Sequence, residues 1–439
     1  MGDPFLAGLM FPVLFLLILL GLPVAFSLIV TAFGFALLAF GDLAPAQLYR
    51  FVDKVASQPT FAAIPLFVFM GAMLERSGIA ARLFEAMRLW LGRLPGGLSL
   101  AAISMCAIFA AGTGIVGAVE VMVGMMAIPA MRKYGYSNDL VAGTICAGGS
   151  LGTMIPPSIV VVVYATQGQL SIGDLFAAVI IPSILMVACF LGYALVRCML
   201  RPQDGPPVAA EELAIPLGEK LWVTLTSLLP ALGLVLAVVG SIIAGIAAPT
   251  EAAGVGALGT IVLTLLYGRL SFGVLWSATR ATLVITAMVM FIVVGGTMFT
   301  SIFQINGGRE LIQNTIVAME LSEGQLILVI ILIIMVLGFV LDWISIVLIC
   351  VPIYDPLLRA AGIDPVWFAV LAIIALQTSY LTPPMAPSLF YLRSIAPPDM
   401  SYRQMAVGVM PFVGCQLLVL LVVYMVPETA TWMTSFVGF

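Results

Sequence analysis

Gly148-Gly149-Ser150-Leu151-Gly152-Thr153-Met154-Ile155-Pro156-Pro157-Ser158 and Gln377-Thr378-Ser379-Tyr380-Leu381-Thr382-Pro383-Pro384-Met385 each set a Pro-Pro dipeptide inside an apolar run. Paired prolines remove two backbone donors and cannot continue a helix. Hydrocarbon does not tolerate the unpaired groups that result unless protein or a polar cavity surrounds them. Two such breaks, at matching places in two halves of a chain, are the sequence mark of a midplane binding site in a secondary carrier. The prolines Pro156, Pro157, Pro383 and Pro384 are therefore read as helix-breakers, and their neighbours as the binding residues.

The composition agrees with a membrane origin. Of 439 residues, 62% are hydrophobic and 9% charged, with a mean hydropathy of +1.20. A water-soluble fold needs a more polar surface, whereas spans of about 20 apolar residues account for the bias. The expected fold class is an all-α polytopic membrane protein of about 10–11 transmembrane helices plus two re-entrant hairpins. Histidine is absent, which removes the commonest catalytic base and metal ligand; no transition-metal site is expected. The six cysteines lack CxxC spacing and read as small hydrophobes between helices. The stretch from Pro4 to Leu20 has no basic residue before it, so it is expected to be a retained span, not a signal peptide.

Charge orders these spans. With the N-terminus outside and the runs 98–131 and 326–358 returning to the side they came from, 13 of the 17 basic residues fall inside. Only Arg50, Lys54, Arg309 and Arg359 fall outside. That is the bias the positive-inside rule demands, and a single crossing by either run would weaken it. The same layout yields an inverted repeat: residues 1–200 form one half, 201–220 a polar cytoplasmic linker, and 221–439 the other. Hairpin 98–131 corresponds to 326–358, and broken helix 139–165 to 365–392. The stretch 76–93 has apolar residues at helical spacing among charges, as an interfacial amphipathic helix would.

Candidate ligands cluster at the hairpin turns and the breaks. Gly112-Thr113-Gly114 can reverse the chain and expose carbonyls; Asp342 and Ser345 hold the corresponding place in the second hairpin. Hard cations such as sodium take oxygen ligands of this kind. One sodium site is expected from Gly112, Thr113 and Gly114 with Gly149, Ser150 and Thr153. A second is expected from Asp342 and Ser345 with Gln377, Thr378 and Thr382. Bare tight turns are the alternative at both tips. Asp342 and Glu120 are the two acids placed inside hydrocarbon, where an ionisable group is a functional candidate; for Glu120 a helix-packing hydrogen bond is the alternative to a substrate role. Asp342 could bind an ion, carry a proton, or accept from the Trp343 indole or a backbone donor. For Pro249-Thr250-Glu251, the expectation is a helix start with Thr250 as N-cap and Glu251 in the first turn.

At these motifs the chain resembles the large membrane subunit, of DctM type, of tripartite ATP-independent periplasmic (TRAP) transporters, in the wider ion transporter superfamily. The matching residues are Met154-Ile155-Pro156-Pro157-Ser158-Ile159, Pro249-Thr250-Glu251-Ala252-Ala253 and Leu341-Asp342-Trp343. A further match runs from Gly362-Ile363-Asp364-Pro365-Val366-Trp367-Phe368 to Leu381-Thr382-Pro383-Pro384. The resemblance implies sodium-coupled uptake of a small organic acid with two or more Na+ ions as coupling ions. It implies an elevator motion of a transport domain against a scaffold, in a bacterial inner membrane. It also implies a small four-helix membrane subunit and a periplasmic substrate-binding protein as partners. The substrate would lie between the hairpin tips. The first tip is Gly112-Thr113-Gly114 where many relatives carry serines, so backbone carbonyls are the ligands that survive the change.

A self-sufficient sodium- or proton-coupled carboxylate symporter of the same superfamily is the neighbouring alternative. An intramembrane enzyme would need paired acids, a Ser/His arrangement or a metal motif, and the sequence shows none. A channel fits two broken midplane helices less well than alternating access does.

Overall fold

The computed structural model describes residues 4–114, 116–383 and 386–437; Pro384 of the second Pro-Pro pair lies outside the described residues. The first half runs α1 (Pro4–Leu19), α2 (Val24–Phe40), α3 (Ala44–Ala56), α4 (Ala63–Arg76), α5 (Ile79–Leu91), α6 (Gly97–Thr113), α7 (Val116–Lys133), α8 (Asn138–Ser150), α9 (Ile159–Gln167) and α10 (Ile172–Leu200). The second runs α11 (Leu217–Ile243), α12 (Pro249–Leu266), α13 (Phe272–Ile305), α14 (Gly308–Met319), α15 (Glu323–Leu337), α16 (Trp343–Ala360), α17 (Pro365–Leu381), α18 (Pro387–Ile395), α19 (Tyr402–Met425) and α20 (Glu428–Thr431). Among the described residues, eight helices are long and apolar enough to cross a membrane, and four more are apolar but shorter. Side chains such as Leu229, Leu236, Leu265, Val284 and Leu421 point outward, as lipid-facing residues do.

Short polar residues set where these helices begin. Ser171, Ser271, Ser322, Asp342, Asp364 and Ser401 each accept a backbone N–H of the first turn, which satisfies donors the helix leaves unpaired. Gln325 and Gln404 reach back to the cap N–H groups of Ser322 and Ser401 at 2.9 Å, completing capping boxes. Helix α12 starts earlier than expected: its N-cap is Ala248, Pro249 takes the first position, and Glu251 accepts from the Ala248 N–H at 3.0 Å. Proline fits the first helical position because its missing N–H would have been unpaired there anyway, so Thr250 lies inside the helix.

Helix starts recur at a fixed interval. Val116 and Trp343, and Asn138 and Pro365, open corresponding helices 227 residues apart. Helices α2, α4, α12 and α13 pack on one another as one body. Helices α6 to α10 with α17 to α19 pack as a second, and the α15–α16 pair bridges to it through α17 and α9. Glycines allow the close crossings: a Cβ on Gly143 would come within 2.1 Å of the Gly408 carbonyl oxygen, and one on Gly295 within 2.9 Å of that of Ala25.

Hydrogen bonds and ion pairs join residues that the charge pattern puts on one face. Arg76 donates to the Ser277 hydroxyl at 3.0 Å; Arg132 pairs with Asp399 at 2.9 Å, and Arg197 with Asp139 at 2.5 Å and with Asp204. On the opposite face, Arg359 donates to the Gly168 carbonyl at 2.9 Å. The linker expected at 201–220 is shorter and docked. Leu217–Lys220 already belong to α11, and residues 201–216 dock: the Gly96, Ser137 and Val208 N–H groups donate to the carbonyls of Gly205, Asp204 and Gly92 respectively. Tyr134 and Lys133 both donate to Glu212, and these two bonds hold its carboxyl below the usual carboxylate range. Helix α5 buries Leu83, Phe84 and Leu89 between α6 and α11.

Candidate ion and substrate site

The first break is closed by its own hydroxyls. Helix α8 ends at Ser150, and the chain passes through a tight turn at 151–153 before Pro156 and Pro157, both buried. Ser150 donates to the Ala147 carbonyl at 2.7 Å, Thr153 to that of Ser150 at 2.8 Å, and Ser158 to that of Thr153 at 2.7 Å. Short hydroxyl side chains of this kind satisfy carbonyls that a terminated helix leaves open. The second break repeats the device: Thr378 donates to Ile374, Ser379 to Leu376 and Thr382 to Thr378, at 2.7–2.8 Å. Pro383 follows, half-buried.

Each hairpin turn meets the break of its own half. Gly114 caps α6 in the left-handed region at φ 59°, a conformation that glycine adopts without strain. A Cβ there would lie 2.9 Å from the Pro157 carbonyl oxygen and 3.4 Å from Ser158 Cα. In the second hairpin, a Cβ on Gly338 would lie 2.2 Å from Ser379 Oγ, so that turn sits on α17.

The two residue sets proposed from spacing divide differently in space. Thr113 is buried, its hydroxyl donates to the Phe109 carbonyl at 3.0 Å, and its backbone abuts Gly71 of α4. Gly112 abuts Leu74, and Gly149 abuts Glu120. Glu120 is fully buried and accepts from Cys146 Sγ at 3.2 Å. Ser150 instead joins the other set: Gln377 Nε2 donates to Ser150 Oγ at 3.2 Å, and Gln416 Nε2 donates to the same oxygen at 3.3 Å. All three residues are fully buried, and the carbonyl oxygens of both amides have no hydrogen-bond partner among the described residues. Residues 150 and 377 are themselves equivalent positions 227 apart. The two broken helices therefore touch at corresponding residues. Gln416 escaped the sequence reading, although an isolated amide within the apolar run 404–427 is a visible signal.

Asp342 opens α16. Its carboxylate accepts from Ile344 N at 3.1 Å and from Ser345 Oγ at 2.5 Å, not from the Trp343 indole. Ser345 is buried and Asp342 half-buried. The turn thus combines a carboxylate, a hydroxyl and the open end of a helix beside the α17 break. That donor set is one of hard oxygen atoms.

The chain matches, over residues 11–429, the family described as "Tripartite ATP-independent periplasmic transporter, DctM component". It is 28% identical to the C4-dicarboxylate TRAP transporter large permease protein DctM of Pseudomonas aeruginosa, covering 86% of this chain and 87% of that one. It is 28% identical to the 2,3-diketo-L-gulonate TRAP transporter large permease protein YiaN of Escherichia coli, over 94% and 95%. It also resembles the isethionate TRAP transporter permease protein DctMQ of Oleidesulfovibrio alaskensis, at 29% identity over 95% of this chain and 65% of the relative. In fold it is similar to the YdaH transporter of Alcanivorax borkumensis (TM-score 0.58, 14% identity, 91% and 90% covered). It is also similar in fold to MtrF of Neisseria gonorrhoeae (TM-score 0.62, 15% identity, 88% and 85% covered). The all-helical architecture with its apolar spans is that of a multi-pass protein of the bacterial inner membrane. The chain belongs to the DctM family, the large permease component of TRAP transporters.

Proposed function

We propose that this subunit carries a small organic acid across the membrane, driven by sodium, with a small four-helix subunit and a periplasmic binding protein as partners. The observation that carries the proposal is that each hairpin turn packs on the break of its own half, Gly114 at Pro157 and Gly338 at Ser379. Broken helices beside irregular turns are where carriers assemble ion and substrate sites. Oxygens of Gly112, Thr113, Gly114, Gly149 and Thr153 would hold one Na+. Those of Asp342, Ser345, Thr378 and Thr382 would hold another, with Ser150 and Gln377, bonded to each other, between the two breaks. The acid would bind between the two turns. The body of α2, α4, α12 and α13 serves as scaffold and the hairpins with the broken helices as the moving part. Carboxylates named for the relatives support the substrate class.

Reconstitution tests this. The chain, with its small subunit and binding protein in proteoliposomes, takes up succinate or another small acid only when a sodium gradient points inward. Equal uptake with the gradient abolished overturns the sodium coupling. Uptake by the chain alone overturns the tripartite reading in favour of a self-sufficient symporter.

A further inference from the structure

Thr297, Thr300, Ser301 and Gln304 of α13 fall at spacings of three, four and seven, which places them on one helix face. That face is polar over the last two turns of a helix otherwise built for hydrocarbon. It lines a cleft of about 340 Å³ between α13, the end of α3, the α9–α10 loop and α16. Lys54 is at the edge of this cleft, exposed, with no ion pair among the described residues. It belongs to the four basic residues on a face where the positive-inside rule disfavours them. No Asp or Glu lines the cleft.

Part of this polarity has a structural cause. Pro352 and Pro356 in α16 leave the carbonyls four residues earlier, those of Leu348 and Pro352, without helical donors. Thr300 donates to Leu348 O at 2.9 Å and Gln304 to Pro352 O at 3.3 Å. That duty does not extend to Thr297, whose buried hydroxyl has no hydrogen-bond partner among the described residues, or to Ser301 and Lys54. The fold does not demand the stripe either. At the corresponding positions of α4, 227 residues earlier, stand Met70, Met73, Leu74 and Ser77.

We infer that this cleft is an anion-binding subsite, where Lys54 and the hydroxyl stripe of α13 receive a small organic acid on its way to the hairpin turns. The inference rests on the proposed transport of such an acid. The volume falls in the range of small-molecule sites, and a single lysine beside a recess of uncharged polar side chains with no acid among them raises the local concentration of anions.

The test is thiol labelling of the full chain in membranes. Ser301→Cys is exposed, from the face bearing Lys54, to two membrane-impermeant methanethiosulfonates: one sulfonated and anionic, one quaternary ammonium and cationic. The parent chain supplies the background of its six native cysteines. After normalisation to a free thiol, the anionic reagent reacts faster by about threefold or more, the scale of one partly screened charge at this range. Lys54→Gln removes the preference and Lys54→Glu reverses it. A ratio indifferent to residue 54, or a Ser301→Cys thiol that reacts with neither reagent, overturns the inference. Labelling needs no sodium, partner or substrate, so its failure and a failure of sodium-driven uptake are read separately.

Discussion

Asp342 closes the N-terminus of α16 through Ile344 N and Ser345 Oγ, and its charge is the one acid at either hairpin turn. The two duties separate by substitution, because asparagine caps a helix about as well as aspartate. Asp342→Asn therefore leaves melting behaviour in detergent near that of the parent. Removing the anionic ligand raises the sodium concentration for half-maximal uptake by about tenfold, the equivalent of a lost charge-assisted contact. An unchanged sodium dependence would remove Asp342 from the ion site. The residues beside the prolines could be read from sequence because hydroxyls and glycines are conspicuous in apolar runs. Their partners could not. The spacing of hairpin tip and break puts Gln377 with Asp342, yet it faces Ser150 and Gln416 across the two halves, and a long-range pairing leaves no trace in local spacing.

At the level of elements, the breaks at the paired prolines are legible in the sequence, whereas the starts of α11 and α12 lie ahead of the expected positions. The expected breaks within 139–165 and 365–392 fall between α8 and α9 and between α17 and α18. The closeness of helix crossings was not readable, since 42 glycines look alike until neighbours are known. Helix α19 shows the difference within a single element. A Cβ on Gly408 would lie 2.0 Å from the Asp139 carbonyl oxygen, while Gly414 has nothing within 4 Å. Gly408→Ala forces α8 and α19 apart and destabilises by about 1–3 kcal/mol, as overpacking does. Gly414→Ala instead keeps or raises stability, through the better helix propensity of alanine. Thermal unfolding of the two variants side by side in one detergent checks the pair; equal losses would mean that the α8–α19 crossing is not backbone-limited.

Across the whole molecule, helices that open 227 residues apart meet different surroundings. Hairpin one lies against an apolar α4 face, with Thr113 on Gly71 and Gly112 on Leu74. Hairpin two lies against a polar α13 face, bound through Thr300 and Gln304 to the carbonyls that Pro352 and Pro356 release. The spacing of the two Pro-Pro breaks is legible in the sequence. This asymmetry is not, because it depends on which faces of α4 and α13 meet a hairpin. It also supplies a test of motion. If hairpin two travels with the broken helices while α13 stays, the Thr300–Leu348 contact must break in every cycle. Joining it stops transport. Thr300→Cys with Leu348→Cys, bridged by oxidant or mercuric ion, is expected to lose most sodium-driven uptake and to regain it with dithiothreitol. Met70→Cys with Gly256→Cys joins α4 to α12, which are neighbours inside the same body, so the same treatment leaves uptake unaltered. Full uptake by the bridged Thr300–Leu348 pair would show that α13 and α16 move together, and the boundary between fixed and moving parts would then lie elsewhere.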